Sequence, residues 1–306
     1  MALATWTGWA SAGVSLRSGD VVLVDSYYFA PPIPAVWRLD PATLDTTRIS
    51  SGGLLVRPDR VAVDANGQIV VADQVSGVVS IDPETGAQTL LASPADLGGR
   101  TAHGVCRDPA GGLYVTAVGG SAPAVLHLDP TSHAVQVVTA GGLLVSPACI
   151  TVGPGGTLYV GDRSVPTPGF TGAIITVTGA SQSLLAITGV PLQSPFDIAI
   201  TPDGWIWTAQ WGGLSRRGGG FLRTRLSDGW TESPTGDRSQ GVAINDAGVI
   251  YLGDCISASL DCYYRFVVQY PIATPSFVPA GAMAIVPSTL TPTRRSSWGS
   301  VKTRYR

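Results

Sequence analysis

Apolar residues fall into short runs bounded by glycine and proline, and helical spacing is absent until the extreme C-terminus. The clearest unit is RVAVDANGQIVVAD, Arg60 to Asp73, in which two apolar runs flank a turn that ends in glycine. The pattern returns as GVCRDPAGGLYVTA at Gly104, CITVGPGGTLYVGD at Cys149, DIAITPDGWIWTAQ at Asp197 and GVAINDAGVIYLGD at Gly241. Aligned on the turn glycines Gly19, Gly67, Gly111, Gly156, Gly204 and Gly248, the units recur every 44 to 48 residues. Turn sequences such as DANG, DPAG, TPDG and NDAG suit tight hairpins, where glycine supplies the positive φ.

Each unit predicts further strands. A third reads VWRLDP at Val36, VVSIDP at Val78, VLHLDP at Val125, IITVTG at Ile174, FLRTRL at Phe221 and FVVQYP at Phe266. A fourth reads TTRIS, AQTLLA, AVQVVT, SQSLLAI and WTESP. Four short antiparallel strands repeated six times give an all-β, six-bladed β-propeller spanning 1–286. A β-helix is the alternative, but its coils are usually shorter than these units. Closure should pair the chain ends, with ATWTGWA near the N-terminus as an edge strand completing the last blade, whose own C-terminal material is SFVPAGAMAIV.

The units resemble NHL-type repeats, as in the six-bladed propellers related to virginiamycin B lyase and, more distantly, the SMP-30/gluconolactonase family. SPFDIAITPDGWIWTAQ is similar to the lyase-like core P-x-x-I-x-x-x-P-D-G-x-[IL]-W. The resemblance covers roughly residues 13–285 and rests on turn and core positions, so it speaks for fold more than for function.

In a propeller the start of each first strand and the end of each second share one channel mouth. That mouth collects Arg60, Gly104, Cys149, Asp197 and Gly241, preceded by Asp59, His103, Ala148, Phe196 and Gln240. Second strands end there in Asp25, Asp73, Asp162, Gln210 and Asp254, while Ala117 breaks the series. A recurring Asp at a strand end is expected to cap a turn through backbone hydrogen bonds. His103 beside Arg60, Asp59 and Asp197 is the most chemical neighbourhood, since a histidine near carboxylates can act as a general base; a structural histidine is the alternative. The resemblance to SMP-30-like proteins implies a divalent cation held by Glu, Asn and Asp around the channel. Here the glutamates are only Glu84 and Glu232, and Asn66 and Asn245 fall in turns at the wrong end. The lyase-like pattern implies a His and a Glu close together late in the chain, whereas His103, His127 and His133 all fall in one unit. No cofactor is therefore expected.

The mouth-side loops SYYFAPPIP, RSVPTPGFTG, QWGGLSRRGGG and CISASLDC are long and do not repeat. They should gather Tyr27, Tyr28, Phe29, Arg163, Trp211, Arg216, Arg217, Tyr263 and Tyr264 on one face. Tyr, Trp and Arg dominate recognition surfaces, so this face suits a protein, peptide or carbohydrate; loops packing on themselves are the alternative. Cys255 and Cys262 either close a small loop disulfide or remain free thiols, and Cys106 and Cys149 sit in strand-like runs.

Composition narrows the function further. Charged residues are 13% of the 306, about half the usual share. The net charge of −2 offers no footprint for nucleic acid. No apolar run has transmembrane length, and the N-terminus lacks the basic and apolar regions of a signal peptide. Lys302 is the sole lysine; with sparse charge and the candidate loop disulfide this leans toward a secreted or cell-envelope protein, a cytoplasmic one being the alternative. After Val286 a Pro/Thr linker leads into a basic tail, 287–306, in which Trp298, Val301 and Tyr305 share one face of a short helix. A helix so short is marginal alone, so it is expected to dock on the propeller, another subunit, an envelope component or an acidic surface, a frayed tail being the alternative. These readings favour a non-catalytic binding or scaffold propeller over an enzyme of lyase or lactonase type with a divergent mouth.

Overall fold

The computed structural model describes residues 13–25, 33–43, 45–167, 170–210, 220–233, 241–245, 248–254, 259–264, 267–273 and 280–288. Among them the architecture is all-β, with only a short 3-10 turn at Pro154–Gly156. The first sheet holds β1 (Val21–Asp25), β2 (Ala35–Leu39) and β3 (Thr46–Ser51). The second holds β4 (Pro58–Val63), β5 (Ile69–Asp73), β6 (Gly77–Ile81) and β7 (Gln88–Ala92). The third holds β8 (Arg100–Arg107), β9 (Leu113–Gly119), β10 (Ala124–Leu128) and β11 (Val135–Ala140). The fourth holds β12 (Pro147–Val152), β13 (Leu158–Thr167), β14 (Phe170–Thr178) and β15 (Ser181–Leu184). The fifth runs from β16 (Thr188–Gly189) through β17 (Pro195–Ile200), β18 (Trp205–Gln210) and β19 (Phe221–Arg225) to β20 (Trp230–Glu232). The sixth contains β21 (Gly241–Ile244), β22 (Val249–Asp254), β23 (Ser259–Tyr264) and β24 (Val267–Ala273), and β25 (Ala280–Ile285) follows.

These strands make six sheets, five of four strands and one of five. Pairing is antiparallel except where β16 lies parallel to β20 and covers the outer edge of the fifth sheet. The inner strands β25, β4, β8, β12, β17 and β21 touch one another in that order, and β21 returns to β25. The sheets thus form a propeller, each packed face to face on two neighbours.

That packing explains why strands such as IVVAD are buried along their whole length. The period-two alternation divides each strand between two cores rather than between core and water. Ile69, Val71, Val79 and Ile81 pack toward Val22, Val24, Val36 and Ile49 of the first sheet. Their alternates Val70, Ala72 and Val78 pack toward Val105, Leu113 and Val115 of the third. Only the outermost strands return to a solvent-facing pattern, exposing Leu90, Val137 and Leu184.

The six aligned glycines all adopt positive φ, from 77° at Gly248 to 110° at Gly111. In five sheets that glycine closes a tight hairpin; Gly67 N–H, for example, donates to the Asp64 carbonyl. Gly19 keeps the geometry without the hairpin, because its partner strand is β25, paired as Val21 with Ile285 and Leu23 with Met283. Gly19 N–H donates to the Val286 carbonyl at 3.0 Å, and Val286 N–H returns to Asp20 at 2.9 Å.

Ring closure therefore differs from the expectation. The sixth sheet draws all its strands from 241–273, and the C-terminal strand crosses to become the inner strand of the first sheet. ATWTGWA lies outside the described residues. FVVQYP is the fourth strand of its sheet rather than the third, because Ser259–Tyr264 forms β23 and pairs with β22 first.

A buried ion pair braces the β1 side of this seam. Arg38 donates through Nε and Nη2 to the two oxygens of Asp20 at 2.6 and 3.0 Å, and through Nη2 to Asp40 at 3.1 Å. Arg17 N–H donates to the same Asp20 carboxylate at 2.7 Å. The hydrogen bond to Asp20 leads in holding the Arg38 guanidinium above its ordinary value, against the opposing effect of burial. A second fixture joins neighbouring sheets. Gln88 Oε1 accepts from Leu54 N–H at 2.6 Å while its amide donates to Gly52 and Ser50. Gln182 repeats the arrangement on Leu143, Gly141 and Thr139.

Replacing Arg38→Met leaves Asp20 buried beside the seam without its cation. Equilibrium denaturation should show a loss of about 3–5 kcal/mol, and hydrogen exchange should accelerate first across Val21–Asp25 and Ala280–Ile285. Uniform acceleration over all sheets would show that Arg38 does not guard the seam.

Candidate functional site

At the channel mouth four inner strands share a register shift. It falls between Pro58 and Arg60, Ala102 and Gly104, Pro147 and Cys149, and Pro195 and Asp197. Each is a β-bulge, and the extra residues are Asp59, His103, Ala148 and Phe196. A bulge breaks strict alternation and lets neighbouring side chains turn the same way. Proline opening three of these strands fits, since no ladder N–H is needed there.

The bulges gather their side chains around Asp59, which is 1% exposed. Its Oδ1 accepts from Arg60 Nη1 at 2.8 Å, with Arg163 Nη2 3.8 Å away. Its Oδ2 accepts from Gln74 Nε2 and lies 2.7 Å from His103 Nδ1. A carboxylate only accepts, so a proton sits on Nδ1 and Nε2 is the ring nitrogen turned away from Asp59. Burial alone would raise the Asp59 carboxyl; Arg60, the His103 hydrogen bond and Arg163 outweigh it and hold the group well below the usual carboxylate range.

Arg60 also reaches across the ring. Its Nε lies 3.5 Å from Asp197 Oδ1, on the sheet opposite in the order of inner strands. Asp197 accepts from Ile198 N–H at 3.1 Å and from Val242 N–H of the next sheet at 3.0 Å. Burial dominates here and pushes Asp197 up to about 6, with Asp59 adding repulsion against the opposing pull of Arg60 and the two backbone donors. The Phe196 ring lies 3.8 Å from the Arg163 guanidinium carbon and 5.0 Å from that of Arg60. Beyond the pair lies a channel cavity of about 210 Å³, lined in part by Val105, Ile150, Val242 and Met283. Cys149 is buried beneath the mouth, and burial pushes its thiol up to about 12, which leaves it protonated and unreactive.

His103, Arg60 and Asp197 are thus brought together, with Asp59 as the link, and Arg163 joins them. Gln74 is the partner that sequence reasoning missed, although it directly follows the recurring Asp73. Of the repeating acids, Asp73 and Asp162 prove to be caps, while the side chains of Asp25 and Asp254 lie outside the described residues. Asp73 accepts four backbone N–H groups, from Val56, Arg57, Val75 and Ser76. Asp162 accepts from Val145, Ser146 and Ser164, and Gln210 from Gln193.

Other expected contributors sit elsewhere. Tyr263 and Tyr264 belong to β23 and pair with Ile250 and Val249, which places them toward the Gly248 turn, away from the mouth. The reason is that 259–264 continues the sheet instead of forming a loop, which also puts Cys262 in a strand; its side chain and those of Tyr263 and Tyr264 lie outside the described residues. Part of RSVPTPGFTG is likewise an extended hairpin, with β13 and β14 pairing as far as Thr167 and Phe170. Tyr27, Tyr28, Phe29, Trp211, Arg216, Arg217, Cys255, Trp298, Val301 and Tyr305 lie outside the described residues.

Among the described residues no three His, Cys, Asp or Glu side chains gather as a cation site. Asp59 and Asp197 are already engaged by cations or backbone donors. Glu84 stands in an outer turn, and Glu232 pairs with Arg223 on an outer strand. The described donors therefore do not fit the divalent site that the SMP-30 resemblance implied. Among the described residues no helix is long and apolar enough to cross a membrane.

No family model matches the chain, and no curated protein matches it in sequence. Among solved structures it is similar to a chain of the crystal structure of a nidogen/laminin complex, with a TM-score of 0.69 and 15% identity. The match covers 87% of this chain and 98% of the other. At that identity the likeness bears on architecture alone, and the architecture it bears out is the β-propeller.

Two expectations follow. Asp73→Ala strips a common acceptor from four N–H groups and should cost about 2–4 kcal/mol in urea denaturation, with Asp73→Asn intermediate; a loss under about 0.5 kcal/mol would refute the capping role. For Asp197, a native value near 6 against an ordinary 3.8 means the native state holds a proton that the unfolded chain has released between those pH values. Its contribution to stability therefore falls as pH rises from about 4 to 6. Asp197→Asn removes that loss, so the variant should gain on the parent by about 2–3 kcal/mol between pH 4 and 7.5. A difference independent of pH would overturn the assignment.

Proposed function

We propose that this chain is a non-catalytic propeller scaffold that binds a partner on the mouth face. The observation that carries this reading is the commitment of the mouth's described acidic groups. Asp59 is enclosed by Arg60, Gln74 and His103, Asp197 by backbone donors and Arg60, and Asp73 and Asp162 by turns. An acid–base enzyme needs a group with capacity to spare for substrate. The neighbour of like fold was solved in a nidogen/laminin complex, which lends support to a protein as partner here. The loop residues Tyr27, Tyr28, Phe29, Trp211, Arg216 and Arg217 supply the recognition chemistry in this reading, with carbohydrate as the other ligand class. We assign the repeats to the NHL-type group as six blades, the segment 287–306 to attachment or assembly, and the protein to an exported compartment. The turn-and-strand units, the basic tail and the scarcity of lysine support these assignments in turn.

One observation favours a second reading. The 2.7 Å contact with Asp59 fixes His103 in the tautomer whose Nε2 can act as a base, as a lyase or lactonase-like enzyme would use it.

The two separate experimentally. Against lactone, ester and uronate-polysaccharide substrates, the parent protein should show no turnover beyond that of His103→Ala. On peptide and glycan arrays, binding should survive His103→Ala and fall at least about tenfold when Tyr27, Tyr28 and Phe29 are all alanine, as expected for aromatic anchors. Turnover that disappears in His103→Ala would transfer the assignment to the enzyme.

A further inference from the structure

We propose that the channel below the mouth binds one small neutral polyol, which enters from the face opposite the mouth. The site is separate from the partner surface and does not depend on that reading.

Backbone direction carries the argument. Each inner strand is the edge of its own sheet, with the second strand on one side and the channel on the other. In an antiparallel ladder alternate residues exchange hydrogen bonds with the partner strand, and those between turn their N–H and C=O the other way. The phase is fixed at the far end of each inner strand. There Asp64, Asp108, Gly153, Thr201, Asn245 and Val286 send their N–H across to the second strand or the residue just before it. Three positions earlier, and so in the opposite phase, stand Val61, Val105, Ile150, Ile198, Val242 and Met283. All of these line the channel cavity. Ile198 and Val242 show the direction outright, since their N–H groups donate to Asp197, itself a lining residue. The next alternate residues make a second tier, of which Val63, Arg107, Ile244 and Ile285 line the same cavity.

Every strand therefore offers the channel a donor and an acceptor side by side. An anion meets the carbonyls as well as the N–H groups, and a cation meets the N–H groups as well as the carbonyls. A hydroxyl suits both, because it donates and accepts at once. An apolar molecule would leave these backbone groups without partners, at the cost of lost hydrogen bonds. Several hydroxyls on one carbon frame match a wall that repeats around a ring.

Size and access agree. The cavity of about 210 Å³ is the space of about seven waters at about 30 Å³ each. One polyol in their place keeps the hydrogen bonds and returns the entropy of the waters it releases. Arg60 and Asp197 close the mouth end, 3.5 Å apart and 3% and 7% exposed. At the other end the lining residues Arg107, Thr151, Ile244, Ile285 and Pro287 are only half-buried, so the cavity opens there.

The test uses the full chain with isotopically labelled methionine methyls, titrated in NMR with glycerol, xylitol and myo-inositol as separate probes. Met283 lines the cavity and Met1 is the only other methionine, so the reporter is unambiguous. Cyclohexanol, a ring with a single hydroxyl, is the comparison. The expected result is a saturable shift of Met283 with at least one polyol. Cyclohexanol should bind at least about tenfold more weakly, the loss of a few hydrogen bonds. Pro287→Trp, which sets a bulky ring at the open end, should weaken binding at least about tenfold. A Met283 signal that stays in place or only drifts linearly with every polyol means that water alone fills the channel. That outcome overturns the proposal in the parent protein, whether or not the variant folds. Equal affinity for cyclohexanol and the best polyol overturns the ligand class, and parent affinity in folded Pro287→Trp overturns the route of entry. Partner binding is scored at the mouth loops, so none of these results decides the scaffold reading.

Discussion

A sheet that is apolar on both faces cannot end in water, and this constraint organises the molecule. Each of the inner sheets finds its second face covered only because another sheet follows. The ring has to return on itself, and the return happens at a seam with no peptide bond across it. Backbone pairing of Gly19 and Asp20 with Val286 joins the seam, and the enclosed Arg38–Asp20 pair fixes the strand on its β1 side. The ion pair is best understood as a locator. Hydrophobic packing draws strands together without fixing their register, whereas two oriented hydrogen bonds tolerate only one alignment.

The mouth follows from the same architecture. Inner strands present an edge to the channel, and regular strands would send their side chains sideways into the cores between sheets. The bulges release Asp59, His103 and Phe196 from that arrangement. Four consecutive sheets thereby contribute to one small cluster without any long loop. A cluster assembled in this way is held by the ring itself, and a change in one sheet is felt through Asp59 in its neighbours.

Much of this was legible in the sequence. The turn glycines marked the inner hairpin of five sheets because positive φ is a local requirement that leaves a local signature. The strands that precede and follow them were legible for the same reason. Closure was not, since AGAMAI carries no mark of the sheet it will join, and its pairing with VVLVD is settled only by which edges remain open. The bulges were hidden by a one-residue offset, which alignment on the turns does not reveal. Asp59 was therefore named beside His103 without being recognised as the centre, and Phe196 stood beside Asp197 without a role. The expected capping by Asp73 was legible from recurrence at strand ends. Gln88 and Gln182 were not, because they act on a neighbouring sheet far away in sequence.

The order of the strands also bears on how the molecule comes into being. Among the described strands β1, β2 and β3 leave the ribosome first, yet the inner edge of their sheet is filled by β25, which leaves after the others. During synthesis the nascent chain carries an open inner edge next to a growing hydrophobic arc. A truncation that removes only β25 would therefore leave the earlier sheets with their local turns intact but no last wedge. The covalent economy of the ring thus concentrates its vulnerability to degradation and misassembly in the interval before one short strand arrives.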